Sequence, residues 1–259
     1  MTNHISRRDA VKQLAASSAG IMFAGVFRGN TASIMIAGQS VEIAVWSVSA
    51  ATVRITIHPV QNGNAAPVPV TGALAQETLG MQRTRTRDSE ALSSIRAGNV
   101  VVSFTDAPPT IRVRTAAGES VQELIFDSMK PGMSFPLGTG PLLGFGEGGA
   151  QFDRRGCIDD MRSGQGARSG GPRPFLLDTH GTRAPVQWLI GTGSGWSMFI
   201  HQPYGAFDLT GARGVFTPRP STELPLDLFV VSAHDPRAIM REYALITGLP
   251  EMPARWTFG

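Results

Sequence analysis

A chain of 259 residues with 42% hydrophobic side chains can bury a substantial core, which excludes a disordered protein. Its 23 Lys and Arg stand against 20 Asp and Glu for a formal charge of +3. Only Lys12 and Lys130 are lysines and the arginines are scattered along the chain, which argues against a nucleic-acid-binding surface.

The first residues read as an address. Arg7-Arg8 with Lys12 downstream precedes a small and apolar run from Leu14 to Phe27, an n-region followed by an h-region. Ser17, Ser18 and Gly20 interrupt that run, and it falls short of the roughly 20 residues needed to span a bilayer, so no stable membrane span is expected. The segment resembles a twin-arginine translocation signal, which implies export of the folded protein to the periplasm or beyond. Cleavage near Ala32 would leave a mature chain from residue 33.

Past the signal, Val41-Glu42-Ile43-Ala44-Val45 and Val53-Arg54-Ile55-Thr56-Ile57 alternate apolar and polar residues, the period of half-buried strands. Similar runs follow at 99–105, 110–115, 121–126, 186–190, 196–201 and 226–231, set apart by Gly, Pro, Asn or Asp turns; the 30 Gly and 18 Pro suit such short elements. In Ile111-Arg112-Val113-Arg114 both arginines fall on one face, expected to be the wet one. This series predicts an all-β antiparallel sandwich. One helix is expected near the carboxy terminus. Asp235 offers an N-cap, Pro236 suits the first turn, Ile239, Met240, Tyr243 and Ile246 follow at helical spacing, and Gly248 and Pro250 end it. From 144 to 173 the composition shifts to Gly, Arg, Asp and Ser, which reads as a long irregular loop of the kind that carries function.

The motifs that could carry chemistry each have a plainer reading. Gly144-Phe145-Gly146-Glu147-Gly148-Gly149 is not followed by the helix that a nucleotide cradle requires, so tight turns account for its glycines and no cofactor is expected. Ser194 in Gly191-Thr192-Gly193-Ser194-Gly195 has strand patterns on both sides and reads as a hairpin turn rather than a nucleophile elbow. His58, His180, His201 and His234 lie far apart, without metal-ligand spacing, and the single Cys157 cannot pair within the chain and has no His motif beside it. Trp188, Trp196, Phe199, Tyr204 and Phe207 could form a sugar platform, although alternation within strands favours core packing. Glu147, Asp153, Asp159, Asp160 and Asp178 gather in or near the loop; paired carboxylates perform glycoside hydrolysis, while isolated ones contact sugar hydroxyls.

Gly144-Phe145-Gly146-Glu147, Asp153-Arg154-Arg155-Gly156, Trp196 to Ile200, Tyr204-Gly205 and Phe207-Asp208 occur in an order that resembles the amino-terminal domain of family 31 glycoside hydrolases. The run from Leu226 through Asp235-Pro236, Tyr243 and Leu245-Ile246-Thr247-Gly248-Leu249-Pro250 resembles the junction into that family's barrel, and 254–259 its first barrel strand. The resemblance implies a galactose-mutarotase-like β-sandwich over 33–253, preceded by the signal segment 1–32 and followed by a (β/α)8 barrel that holds both catalytic aspartates. No catalytic residue is then expected in this chain. The resemblance further implies that the 144–173 loop reaches over the barrel mouth, with Asp159 or Asp160 contacting carbohydrate.

The function expected on this basis is that of a non-catalytic domain of an exported α-glycosidase, its partner a carbohydrate substrate held with the barrel, with no metal involved. The alternative is a free-standing carbohydrate-binding or interaction module.

Overall fold

The computed structural model describes residues 33–147, 151–161, 184–202, 205–219, 224–254 and 256. The chain divides into two compact units, Met1–Thr31 and Ala32–Gly259. The first, with the expected export signal, lies outside the described residues, as do His180, Asp178 and most of the expected barrel strand at 254–259.

Among the described residues seventeen strands follow in chain order: β1 (Met35–Ile36), β2 (Gln39–Ser47), β3 (Thr52–Gln61), β4 (Asn64–Ala65), β5 (Met81–Thr86), β6 (Ile95–Ala97), β7 (Val100–Asp106), β8 (Pro109–Thr115), β9 (Ser120–Phe126), β10 (Met133–Pro136), β11 (Leu142–Gly144), β12 (Ile158–Asp160), β13 (Trp188–Gly191), β14 (Trp196–Ile200), β15 (Gly205–Asp208), β16 (Arg213–Pro218) and β17 (Leu226–Ser232). Helix α1 (Pro236–Thr247) comes last. One sheet runs β1-β2-β3-β17-β14-β13-β11, with β4 added to β3 and β5 to β2; the other runs β12-β15-β16-β10-β9-β8-β7-β6. Neighbours pair antiparallel throughout, and the two sheets face each other as a sandwich.

Alternation explains the interior. Val41, Ile43 and Val45 on β2, Val53, Ile55 and Ile57 on β3, and Leu226, Leu228 and Val230 on β17 all turn inward. Across the gap, Phe135 of β10 meets Trp196 of β14 edge to face at 6.3 Å, and within its own sheet it meets Phe207 of β15 at 6.4 Å. On β8, Arg114 is exposed and Arg112 half-buried, so the arginine face is the wet one.

The other face of the first sheet is covered as well. Phe199 of β14 and Phe229 of β17 join Leu74, Leu79 and Ile246 in a separate apolar cluster beneath α1 and the segment that leads into β5. The central strands are therefore buried on both faces, and the polar residues that share this outer face must find partners inside the protein. Helix α1 starts as its capping residues require: the Asp235 carboxylate accepts the Arg237 amide at 3.0 Å, with Pro236 in the first turn. Ile239 and Ile246 are buried and Tyr243 is half-buried, while Met240, at the same spacing, faces solvent.

Gly191 pairs with Trp196, so 192–195 is the turn of a hairpin, and Ser194 sits in it with its hydroxyl oxygen accepting the Thr139 amide at 3.3 Å. Arg83 and Arg85 lie in β5 and Arg87 follows its last residue, at a spacing of two. Arg85 and Arg87 both donate to Glu42, the second at 2.8 Å, and together they hold that carboxyl below its ordinary value against the opposing effect of burial. Among the described residues no helix is long and apolar enough to cross a membrane.

Candidate carbohydrate-contact edge and an adjoining pocket

The segment expected as an irregular loop is, where described, held by β11 at its start and by β12 at 158–160. β11 carries Gly144 at φ 114°, where an added Cβ would overlap the Trp188 carbonyl oxygen, so a close backbone approach requires this glycine. Phe145 follows at φ 67°, fully buried, its ring 4.5 Å from that of Phe207. Glu147 bridges Ala184 and is itself exposed. Asp153 accepts the backbone amides of Leu142 at 2.8 Å and Arg155 at 3.0 Å. Those amides hold its carboxyl below the usual range and make it a staple of the turn rather than an acid or base. Arg154 turns inward and donates its Nε to the Gly144 carbonyl at 3.1 Å.

The chain then enters β12, the edge strand of the second sheet, where Asp159 pairs with Phe207 and Asp160 with Ala206. Successive strand residues point to opposite faces. Asp159 accordingly turns inward and is buried, while Asp160 leaves about 40% of its side chain exposed, with Arg219 at 3.6 Å. Two carboxylates on opposite faces of one strand cannot flank the same glycosidic bond. Of the two residues singled out from the sequence, Asp160 is the one open to a solvent-borne ligand.

Met161, the next residue, forms part of a half-open pocket of about 660 Å³ between β14, α1 and the 71–73 segment. Its polar lining comes from Thr71, Gln187, His201, Gln202 and Thr247, and its apolar wall includes Phe199 and Tyr243. Tyr243 stacks on Trp188 at 4.0 Å, and burial raises its pKa. Behind the pocket lies a polar network. Asp227 is fully buried and accepts Arg54 Nε and Nη2, each at 2.8 Å, as well as His201 Nδ1 at 2.8 Å; Arg54 also caps the Glu77 carbonyl at 2.6 Å. His201 Nε2 lies 2.5 Å from the Thr71 hydroxyl. With Nδ1 engaged by Asp227, Nε2 is the ring nitrogen that meets that hydroxyl.

The aromatic residues considered as a sugar platform mostly serve packing: Trp196, Phe199 and Phe207 are buried, Trp188 is half-buried against Tyr243, and Tyr204 lies outside the described residues. His58 and His201 are buried and hydrogen-bonded, whereas His234 is exposed. Among the described residues no His, Cys, Asp and Glu side chains gather into a metal-holding group. Sequence reading missed the Arg54–Asp227–His201 network. Its only trace was Asp227 inside an apolar strand.

No protein-family model and no curated protein matches the sequence. Solved structures do. A family 31 dextranase from Flavobacterium johnsoniae, solved with isomaltotriose, superposes with a TM-score of 0.62 at 14% identity over 87% of this chain and 29% of that chain. The chain shares its fold with part of a family 31 glycoside hydrolase. The glucose complex of the same dextranase gives 0.62 at 15% identity. A cycloalternan-forming enzyme from Listeria monocytogenes, in complex with a pentasaccharide substrate, gives 0.55 at 16% identity over 85% of this chain and 21% of that one. This chain therefore spans less than a third of the length of these structures, and at such identity the likeness concerns the fold.

Proposed function

We propose that this chain is the non-catalytic β-sandwich domain of an exported α-glycosidase, an O-glycosyl hydrolase of carbohydrate metabolism, and that it helps to bind carbohydrate and shape the substrate pocket. The observation that carries the proposal is the placement of Asp160, a half-exposed carboxylate on an edge strand of a sandwich that superposes on part of a dextranase. An ionised carboxylate there accepts hydrogen bonds from adjacent sugar hydroxyls, and such charge-assisted bonds are stronger than neutral ones. Asp159, turned inward on the same strand, positions β12. Hydrolysis itself is assigned to a barrel beyond this domain.

The test is calorimetric titration of the chain with isomaltotriose. We expect weak, saturable binding that Asp160→Asn weakens by about ten-fold, the loss of one charge-assisted bond. Equal affinity in wild type and Asp160→Asn would overturn the assignment of β12. Export is proposed from the Arg7-Arg8 segment. Residues 1–40 fused to a reporter should direct it out of the cytoplasm, and Arg7→Lys with Arg8→Lys should abolish this; unchanged export would refute the signal.

A further inference from the structure

Away from the β12 edge, three side chains meet in the order that nucleophilic catalysis uses. The Thr71 hydroxyl lies 2.5 Å from His201 Nε2, and His201 Nδ1 lies 2.8 Å from Asp227 Oδ2. A hydroxyl on one ring nitrogen and a carboxylate on the other supply a nucleophile, a general base and a group that orients the base. Thr71 precedes β5, His201 directly follows β14 and Asp227 lies in β17, so only the fold brings them together.

Exposure rises along the same line. Asp227 is fully buried, His201 is 4% exposed and faces the half-open pocket beside β14, and Thr71, also in the pocket lining, is exposed. The end of the chain that small molecules reach is therefore the hydroxyl, as a nucleophile requires. Each member is also held in place. Arg54 grips the Asp227 carboxylate through Nε and Nη2, each at 2.8 Å, which fixes its plane and matches its charge. The Ala73 amide donates to Thr71 Oγ1 at 3.2 Å, and the Ala75 amide donates to the Ile246 carbonyl at 2.8 Å, which pins this segment to α1. Gly72, next to the hydroxyl at φ 75°, carries no side chain to obstruct an approach.

We propose that Thr71, His201 and Asp227 form a catalytic triad that hydrolyses small carboxylic esters, with the acyl group against Phe199 and Tyr243 in the pocket. The activity is separate from glycoside hydrolysis; it goes beyond the carbohydrate reading above and does not rest on it. In the resting site Nδ1–H donates to Asp227 and Nε2 accepts from Thr71, whose oxygen keeps one lone pair beyond the one on the Ala73 amide. Thr71 Oγ1 bonds to the ester carbonyl carbon while its proton passes to Nε2. The bond from that carbon to the alcohol oxygen then breaks, and Nε2 returns the proton to the departing oxygen, leaving the acyl group on Thr71. Water attacks this second ester, giving one proton to Nε2 and through it to Thr71 Oγ1 as the carboxylic acid leaves. The sum is ester and water to acid and alcohol. Thr71 and His201 touch the reacting atoms and are the catalytic residues, while Asp227 acts through the ring and is a positioning residue.

Hydrolysis of p-nitrophenyl acetate by the full chain tests this, with the acylated protein trapped by acid and its acetyl group located by peptide mass spectrometry. Wild type should release about one equivalent of p-nitrophenol in a burst, followed by slower turnover, with the acetyl group on Thr71. Thr71→Ser, which keeps a hydroxyl, should retain the burst, and Thr71→Val, of nearly the same shape as threonine, should remove it. His201→Gln should slow acylation by about 10²–10⁴-fold, the range of general-base catalysis. Asp227→Asn should lower kcat with KM unchanged, a split that a merely structural role would not produce. If that variant does not fold, the two Thr71 variants on their exposed segment carry the test. Release at the rate of buffer alone, an acetyl group on a lysine instead of Thr71, or an undiminished burst in Thr71→Val would overturn the triad. Isomaltotriose binding enters none of these results, so the reading of β12 stands or falls separately.

Discussion

At the scale of single residues, the fully buried Asp227 is tightly constrained. Three charge-assisted hydrogen bonds, two from Arg54 and one from His201, satisfy it, and Arg54 additionally lies over the Phe229 ring at 5.2 Å. Removing one partner of a buried ion pair leaves the other desolvated and unmatched. Asp227→Ala should therefore cost about 3–5 kcal/mol, read as a lower urea midpoint. A loss of less than about 1 kcal/mol would mean that Arg54 reaches water or another anion when Asp227 is removed. His58 sets a different test, one of pH. Its ring is buried between the Ala66 carbonyl at 2.7 Å and the Thr56 hydroxyl at 3.0 Å, and burial lowers its pKa in the folded state below the ordinary 6.5. The unfolded chain then binds the proton more readily, so the His58 contribution is intact above about 6.5 and is lost as pH falls toward the folded value. Lowering the pH from about 7.5 to about 5.5 should destabilise wild type more than His58→Gln. Identical slopes would exclude His58 as the source. Asp127, Asp153 and Asp208, whose pKa values are lowered by hydrogen bonds from nearby backbone amides and, for Asp208, first by the Thr210 hydroxyl, act in a more acid window: their stabilisation is present above the unfolded carboxylate range and fades below it.

At the scale of elements, legibility depended on whether one face of a strand was buried and the other wet. β2, β8 and β9 alternate because only one side meets the core, so their pattern could be read directly. β5, written Met-Gln-Arg-Thr-Arg-Thr, buries nothing, and no apolar period announced it. β12 is three residues long with Ile158 exposed, and its strand form depends on pairing with β15 rather than on its own side chains. The run expected to begin at Val186 becomes a strand only at Trp188, since the Val186 amide bonds the Phe145 carbonyl at 3.3 Å instead. Asp160 was legible as a site candidate because carboxylates in a polar loop stand out. Arg54 and Asp227 were not, because 173 positions separate two residues whose meaning lies only in their contact. Helix α1 was legible from its cap, its helically spaced apolar residues and its terminating Gly248, and the cap can be tested. Asp235→Ala removes the acceptor of the Arg237 amide and should destabilise the protein by about 0.5–2 kcal/mol. Asp235→Asn, which keeps an acceptor, should recover most of the loss; equal losses in both variants would assign the effect to charge at the helix start rather than to the hydrogen bond.

At the scale of the whole molecule, the two faces of the first sheet are held by cores of very different size. The inner core joins both sheets through Phe135, Phe207 and Trp196 and involves nearly every strand, whereas the outer one comprises Leu74, Leu79, Phe199, Phe229 and Ile246, with Tyr243 and Trp188 at its margin. Apolar burial scales with area, so the outer layer is held to the sheet by much less free energy than holds the sandwich together. Ile239 and Ile246 are the buried apolar residues of α1, and its opposite face, with Met240 and Leu245, is open. Helix α1 should therefore open without the sandwich, as a unit of lower stability. Native-state hydrogen exchange should show the amides of α1 exchanging through a sub-global opening, several kcal/mol below the free energy at which β3, β14 and β17 exchange. Ile246→Ala should lower the protection of α1 and leave those central strands close to their wild-type values. Uniform protection across α1 and β17 would instead mean that the Arg54–Asp227–His201 network couples the outer layer to the sheet strongly enough for both to unfold together.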